Sequence, residues 1–225
     1  MPNEILQNAR GRSIHKPACL AIVSLCLILS TQNIGANSGI PLTELVKKAA
    51  EAASQGKIKE AVTLYAEWVE RDSLNPLSRA SYGAALYQDG QWDKARRELE
   101  RAVLIEPKLA TSWATLGLLY DKANEPWLAL SAYSRAVHWE SHNASHRILL
   151  AVAMEKQGWN DAAESNLREA AKLDPSSADA QYNLAALALR RSPPAREIAR
   201  RHYEAAIQLG APKDPDIEAL LKEAK

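Results

Sequence analysis

Residues 110–143 read ATSWATLGLLYDKANEPWLALSAYSRAVHWESHN, and this stretch decides the fold. Its first half carries Trp113, Leu116, Gly117 and Tyr120, three, one and three residues apart. Its second half carries Ala129, Tyr133 and Ala136, four and three apart. Residues at these intervals share one face of an α-helix. Pro126 sits where the second half opens, a position at which a helix tolerates proline because the first-turn amide has no intrahelical partner to lose. The stretch therefore predicts two amphipathic helices of about 13 residues joined by a short turn.

The pattern recurs outward in both directions. Ala61, Ala95, Ala129 and Ala163 stand 34 residues apart. Tyr65, Leu99, Tyr133 and Leu167 follow them by four residues, and Trp68, Ala102, Ala136 and Ala170 by seven. Gly83, Gly117, Ala151 and Ala185 keep the same interval on the N-terminal side, and Ser73, Pro107, Ser141 and Pro175 mark the breaks. Gly56, Gly90 and Gly158 interrupt the chain between paired helices. A fixed period of this length belongs to stacked helical hairpins, since one hairpin cannot bury both its faces and needs neighbours to complete its core.

These residues resemble the tetratricopeptide repeat (TPR) family. That family places small residues at repeat positions 8, 20 and 27, large ones at 4, 7, 11 and 24, and proline at 32. With Leu42 as position 1, the units run 42–75, 76–109, 110–143, 144–177 and 178–213. The fifth is shifted by two in its second half, where Ala199, Tyr203 and Ala206 follow the Arg191-Ser192-Pro193-Pro194 turn. The first departs most, with Lys48 at a position expected to be large and apolar and Trp68 at one expected to be small. The resemblance implies an all-α, right-handed α-α superhelix, a TPR solenoid of five helix hairpins. Asp214-Pro215 reads as the N-cap and first residue of a last helix within 214–225, and Ile217, Leu220 and Leu221 form the apolar stripe by which it would cap the array.

In the TPR family, ligands lie in a concave groove lined by the first helix of each unit, at positions 2, 5, 9, 12 and 13. The resemblance thus points to a partner-binding groove of Val46, Leu77, Ala80, Ala84, Tyr87, Ala114, Leu118, Ile148, Val152, Tyr182 and Leu189. The charged clamp that some members use for a chaperone's C-terminal carboxylate needs Lys, Asn and Arg at positions 5 and 9. Val46, Ala80, Leu118, Ile148 and Tyr182 stand at such positions here, which argues against that function. An apolar wall suits an amphipathic helix or an extended apolar peptide, each buried anchor giving about 1.5–3 kcal/mol. Two other readings stand beside this one. Small residues at 5 and 9 let neighbouring helices pack, and the segment Asn37–Pro41 could itself fill the groove.

Composition excludes several function classes. The 225 residues are 47% hydrophobic, with 28 basic residues against 27 acidic, so a nucleic-acid binder working through bulk charge is disfavoured. Nucleotide-binding, nucleophile-elbow and zinc-protease motifs are absent from the sequence. The reading is of a non-enzymatic protein with no cofactor, no metal and no small-molecule substrate, whose partner is another protein. Carboxylates alternate with basic residues, as in Glu98–Arg101 and Glu164–Arg168, and read as solvated helix faces. His138, His142 and His146 are spaced by four but fall on a helix end, a turn and the next helix start, so they read as surface histidines rather than a metal site. Trp139 and Trp159 flank the first helix of the fourth unit and suggest a second contact patch.

The N-terminus reads as an address. Arg10, Arg12 and Lys16 precede Ala18–Leu29, ACLAIVSLCLIL, twelve residues without charge, and a small, polar stretch follows. Residues 1–36 therefore read as a secretory signal peptide, with cleavage after Ala36 and a short linker at 37–41. Both cysteines, Cys19 and Cys26, lie within it. The resulting expectation is a periplasmic or secreted bacterial protein of the envelope, anchored in the inner membrane if the signal is not cut. The leading function is an interaction scaffold, and the alternative is a self-associating structural subunit.

Overall fold

Eleven helices and no strand occupy residues 39–222, the residues described in the computed structural model. They fall into two compact units, 39–123 and 124–222. The division passes between the two helices of the repeat at 110–143.

The first unit holds α1 (Leu42–Ser54), α2 (Ile58–Arg71), α3 (Pro76–Gln88), α4 (Trp92–Ile105) and α5 (Ala110–Lys122). Successive helices pack on one another, α1 on α2 and α3 on α4 as hairpins, with α2 on α3 and α4 on α5 between them. Local chemistry sets the ends. Asn75 caps α3, its side-chain oxygen accepting from the Leu77 and Ser78 amides at 2.9 and 3.3 Å, with Pro76 as first helical residue. Leu45, Ala49, Ala52, Ala61, Tyr65, Trp68 and Ala85 form a core cluster. Trp68, at a position other units fill with alanine, is buried beside Tyr65, ring centroids 6.2 Å apart. Gly83 marks a close helix approach. A Cβ there would lie 2.6 Å from Leu99 Cγ and 3.3 Å from the Ala95 carbonyl, so α3 can approach α4 only without a side chain.

The second unit holds α6 (Pro126–Trp139), α7 (Ala144–Lys156), α8 (Asn160–Leu173), α9 (Ala178–Leu189), α10 (Arg196–Gln208) and α11 (Pro215–Lys222). Asn143 caps α7 and Ser177 caps α9. Two clusters make its core, one around Ile148, Ala151, Leu167 and Leu184, the other around Ala185, Leu189, Tyr203 and the stripe Ile217, Leu220 and Leu221 of α11. Asp214 is the N-cap of α11, with Oδ1 accepting from the Asp216 and Ile217 amides at 2.9 and 3.3 Å. Its amide donates to Tyr203 Oη at 2.6 Å, and Tyr182 Oη donates to its Oδ2 at 2.6 Å. Arg196 and Arg200 donate to the carbonyls of Leu220 and Leu221, satisfying the far end of the helix.

The sequence interval reappears as a period of burial. Ala61, Ala95, Ala129 and Ala163 are fully buried, as is Ala199, two residues late. Between paired helices Gly56, Gly90 and Gly158 have φ of +72°, +79° and +80°, and Asn124 takes the same place with φ +58°. Asparagine is among the few non-glycine residues that visit this region readily. The segments read as signal peptide and linker, 1–36 and 37–41, lie outside the described residues up to position 38. Among the described residues no helix is long and apolar enough to cross a membrane.

Candidate functional site

In the first unit the wall residues named from the sequence lie on α1, α3 and α5. Val46 is half-buried against the core around Leu45, Ala80, Ala84, Tyr87 and Leu118 are half-buried, and Leu77 is exposed. Ala114 is buried and belongs to the packing between helices rather than to an open surface. None of these side chains carries charge. Lys122, at the end of α5, turns its ammonium onto the Trp92 ring, 3.9 Å from the centroid, and a cation so placed is held by the ring's negative face. The middle of this face is a partly open surface of aliphatic and small residues with one tyrosine, while Asp121 and Lys122 at the end of α5 put charge at its edge.

The corresponding positions of the second unit are different. Ile148 and Leu189 are buried in the two core clusters, at 3% and 5% exposure. Both side chains pack within those clusters rather than open to solvent. Val152 is half-buried against the core around Ile148. Tyr182 packs against the α11 cluster and donates its hydroxyl to Asp214. Burial, then the Asp214 carboxylate, raises its pKa above the usual phenolic range. Glu155 on α7 pairs with Arg190 at the end of α9, both side chains largely buried. Of the eleven residues named, the structure therefore places Ala114, Ile148 and Leu189 in the core and Tyr182 in the cap.

Three other expectations change. Glu98 is no solvated-face residue: it bridges Arg79 on α3 at 2.6 Å and Arg101 on its own helix at 3.0 Å, and is 14% exposed. Glu164 likewise joins Arg168 at 2.6 Å to Arg191 beyond α9. His146 is buried, with Nδ1 3.5 Å from Glu140 Oε2, whereas His138 and His142 are exposed. Burial lowers the His146 pKa and the Glu140 carboxylate raises it, with burial prevailing. The same repeat position holds Ser78, Ser112 and Ala180, all buried, and Glu44, which is exposed. Among the described residues no group of three or more His, Cys, Asp or Glu side chains is placed to hold a metal. The aromatic contact involves Trp127 and Trp159, ring centroids 6.1 Å apart, while Trp139 meets the neighbouring His138 edge-on.

No family model matches the chain. It is 28% identical over 120 residues to the heat-shock protein cognate co-chaperone sgt12 of Aspergillus fumigatus, covering 52% of this chain and 35% of that protein. It is 29% identical over 119 residues to Protein bimA of Emericella nidulans, covering 53% of this chain and 15% of that protein. The chain thus spans about a third or less of the length of these curated relatives. Among solved structures it is similar to YrrB, described as a TPR protein with an unusual peptide-binding site, with TM-score 0.65 and 22% identity over 81% of this chain and 93% of that one. It is similar also to MamA of Desulfovibrio magneticus RS-1, with TM-score 0.65 and 18% identity over 75% of this chain and 94% of that one. The fold is accordingly that of the TPR solenoids.

Proposed function

We propose that this protein is a non-enzymatic interaction scaffold that binds an uncharged apolar or amphipathic segment of another protein on the wall of α1, α3 and α5. The observation that carries this reading is the absence of charge on a half-open surface made by Val46, Leu77, Ala80, Ala84, Tyr87 and Leu118. Such a surface gains by burial and offers little to a charged or small polar ligand. Support comes also from YrrB, a similar fold described with a peptide-binding site. The N-terminal charge and hydropathy pattern supports reading residues 1–36 as an export signal and the scaffold as one of a bacterial envelope.

The test is capture from native envelope extract with wild-type protein and with Tyr87→Glu, Leu118→Asp, each first shown folded by helical circular dichroism. A partner held by the wild type and absent from the folded variant is the expected result. Equal recovery would move the function off this wall. A stable dimer in light scattering would favour the alternative of a self-associating subunit.

A further inference from the structure

The inner faces of the repeat helices are not equally open. Repeat positions 9 and 12 are half-buried on α1, α3, α5 and α7, Leu118 and Val152 among them, whereas on α9 they are Ala186 and Leu189, both buried. Ala186 and Leu189 share a core cluster with Ile217, Leu220 and Leu221 of α11. Tyr182, at position 5 of α9, donates its hydroxyl to the Asp214 carboxylate at 2.6 Å. α11 is also unlike the first helices of the five units. It has eight residues where they have 12 or 13, and it hangs from Gly210, at φ +95°, and Pro212. It packs only lightly on α10, whereas α3, α5, α7 and α9 each lie broadly on the helix before them.

We propose that the inner face of α9 is a second protein-binding seat, that α11 fills it as a resident ligand, and that an amphipathic helix of a partner protein takes the seat by displacing α11. The seated helix states the chemistry of that partner. Asp214 supplies an acidic N-cap for Tyr182, Pro215 the first helical residue, and Ile217, Leu220 and Leu221 an aliphatic stripe at i, i+3 and i+4. α11 can leave because a helix this short has no stability of its own and persists only through its contacts. A partner helix of the same pattern restores each contact that α11 gives up. While α11 is seated it lowers the partner's apparent affinity in proportion to the time the seat is closed. This seat lies in the second unit and is separate from the wall of α1, α3 and α5, so either can stand without the other.

The test uses the full chain and a labelled probe peptide, APKDPDIEALLK, which is residues 211–222. Leu220→Asp with Leu221→Asp removes the resident stripe and leaves α9 unchanged. In fluorescence anisotropy the probe should bind this opened chain at least roughly tenfold more tightly than wild type. Adding Tyr182→Phe to the opened chain should lower that affinity several-fold, and adding Leu118→Asp should leave it unchanged. No uptake by an opened chain whose amides in 178–208 stay protected from hydrogen exchange would overturn the proposal. Loss of that protection would overturn it too, because α11 would then belong to the core of the fifth unit. Exchange in the wild-type chain gives an independent reading. Amides of α11 should open more readily than those of α9 and α10, and a common opening of all three would show that α11 does not leave alone. Uptake abolished by Leu118→Asp would put the probe on the first unit's wall, removing this seat and supporting the scaffold reading. A dimer in light scattering that the two α11 substitutions abolish would overturn the proposal in favour of exchange of α11 between copies.

Discussion

The two units are built from the same repeat, yet they differ at some equivalent positions. Repeat position 9 is Ala84 and Leu118 in the first unit and Val152 and Ala186 in the second. Ala84, Leu118 and Val152 are all half-buried, and Asp121 on α5 stands at the repeat position that Glu155 holds on α7. In the second unit, Ala186 is buried, Tyr182 is tied to Asp214, and Glu155 is paired with Arg190. The repeat pattern sets which residues form the hairpin core, whereas the side chains between it set whether the inner face stays open. A repeat protein can thus keep one architecture and confine binding to part of it.

The largest expected effect concerns the cap. Asp214→Ala removes the N-cap of α11, which typically costs about 1 kcal/mol, and leaves the Tyr182 hydroxyl without its acceptor at a further cost of about 1–2 kcal/mol. Hydrogen exchange should rise in 178–222 and stay unchanged in α1 to α4, and a uniform rise would erase the distinction between the units. Gly83→Ala is the reciprocal change. The added Cβ meets Leu99 Cγ at 2.6 Å, and overpacking of this kind costs about 1–3 kcal/mol, partly offset by about 0.5–1 kcal/mol of helix propensity. Faster exchange should appear in α3 and α4 and not in α9 to α11.

Acid should also separate the units. Residues 39–123 contain no histidine, while the second unit holds His146 and His202, both with pKa lowered by burial. For His202, Arg201 and Arg168 add to the lowering. A depressed histidine stabilises the fold above its unfolded value of 6.5, and that contribution is lost as pH falls below 6.5 toward the folded value. Protection factors, which correct for the intrinsic slowing of exchange in acid, should therefore fall at pH 5 around α7 and α10, and His146→Ser should flatten the change at α7. An equal acid response in α1 to α5 would show that histidine is not its source. The smallest effect is expected at Trp127, whose tilted contact with Trp159 is exposed: Trp127→Ala should cost about 0.5–1.5 kcal/mol, read from the urea midpoint.

Much of the fold was legible because it is periodic. Ala61, Ala95, Ala129 and Ala163 announce their burial by interval alone, and Ala199 announces the two-residue insertion before it. Asn124 was harder, since the turn it occupies carries glycine in the neighbouring units and only its φ of +58° shows that it does the same work. The site was legible in outline only. Sequence spacing puts Ala114, Ile148 and Leu189 on the inner faces of their helices, but whether an inner face is covered depends on how near the next helix lies, which no local pattern states. The tryptophan contact was missed for a related reason. Trp127 lies inside α6 and Trp159 just before α8, so they hold different repeat positions and only packing brings them together.

The contrast between the two inner faces is tested most directly by one paired substitution, Leu118→Asp against Val152→Asp, in a chain beginning at residue 37. The readout is fluorescence anisotropy of a labelled, lysine-flanked peptide of leucine and alanine, with both variants first shown folded. Burial of one aliphatic anchor is worth about 1.5–3 kcal/mol, so Leu118→Asp should weaken binding by roughly 10- to 100-fold, and Val152→Asp should leave it within about threefold. Equal losses from both substitutions, or a larger loss at Val152, would contradict the assignment of binding to the first unit.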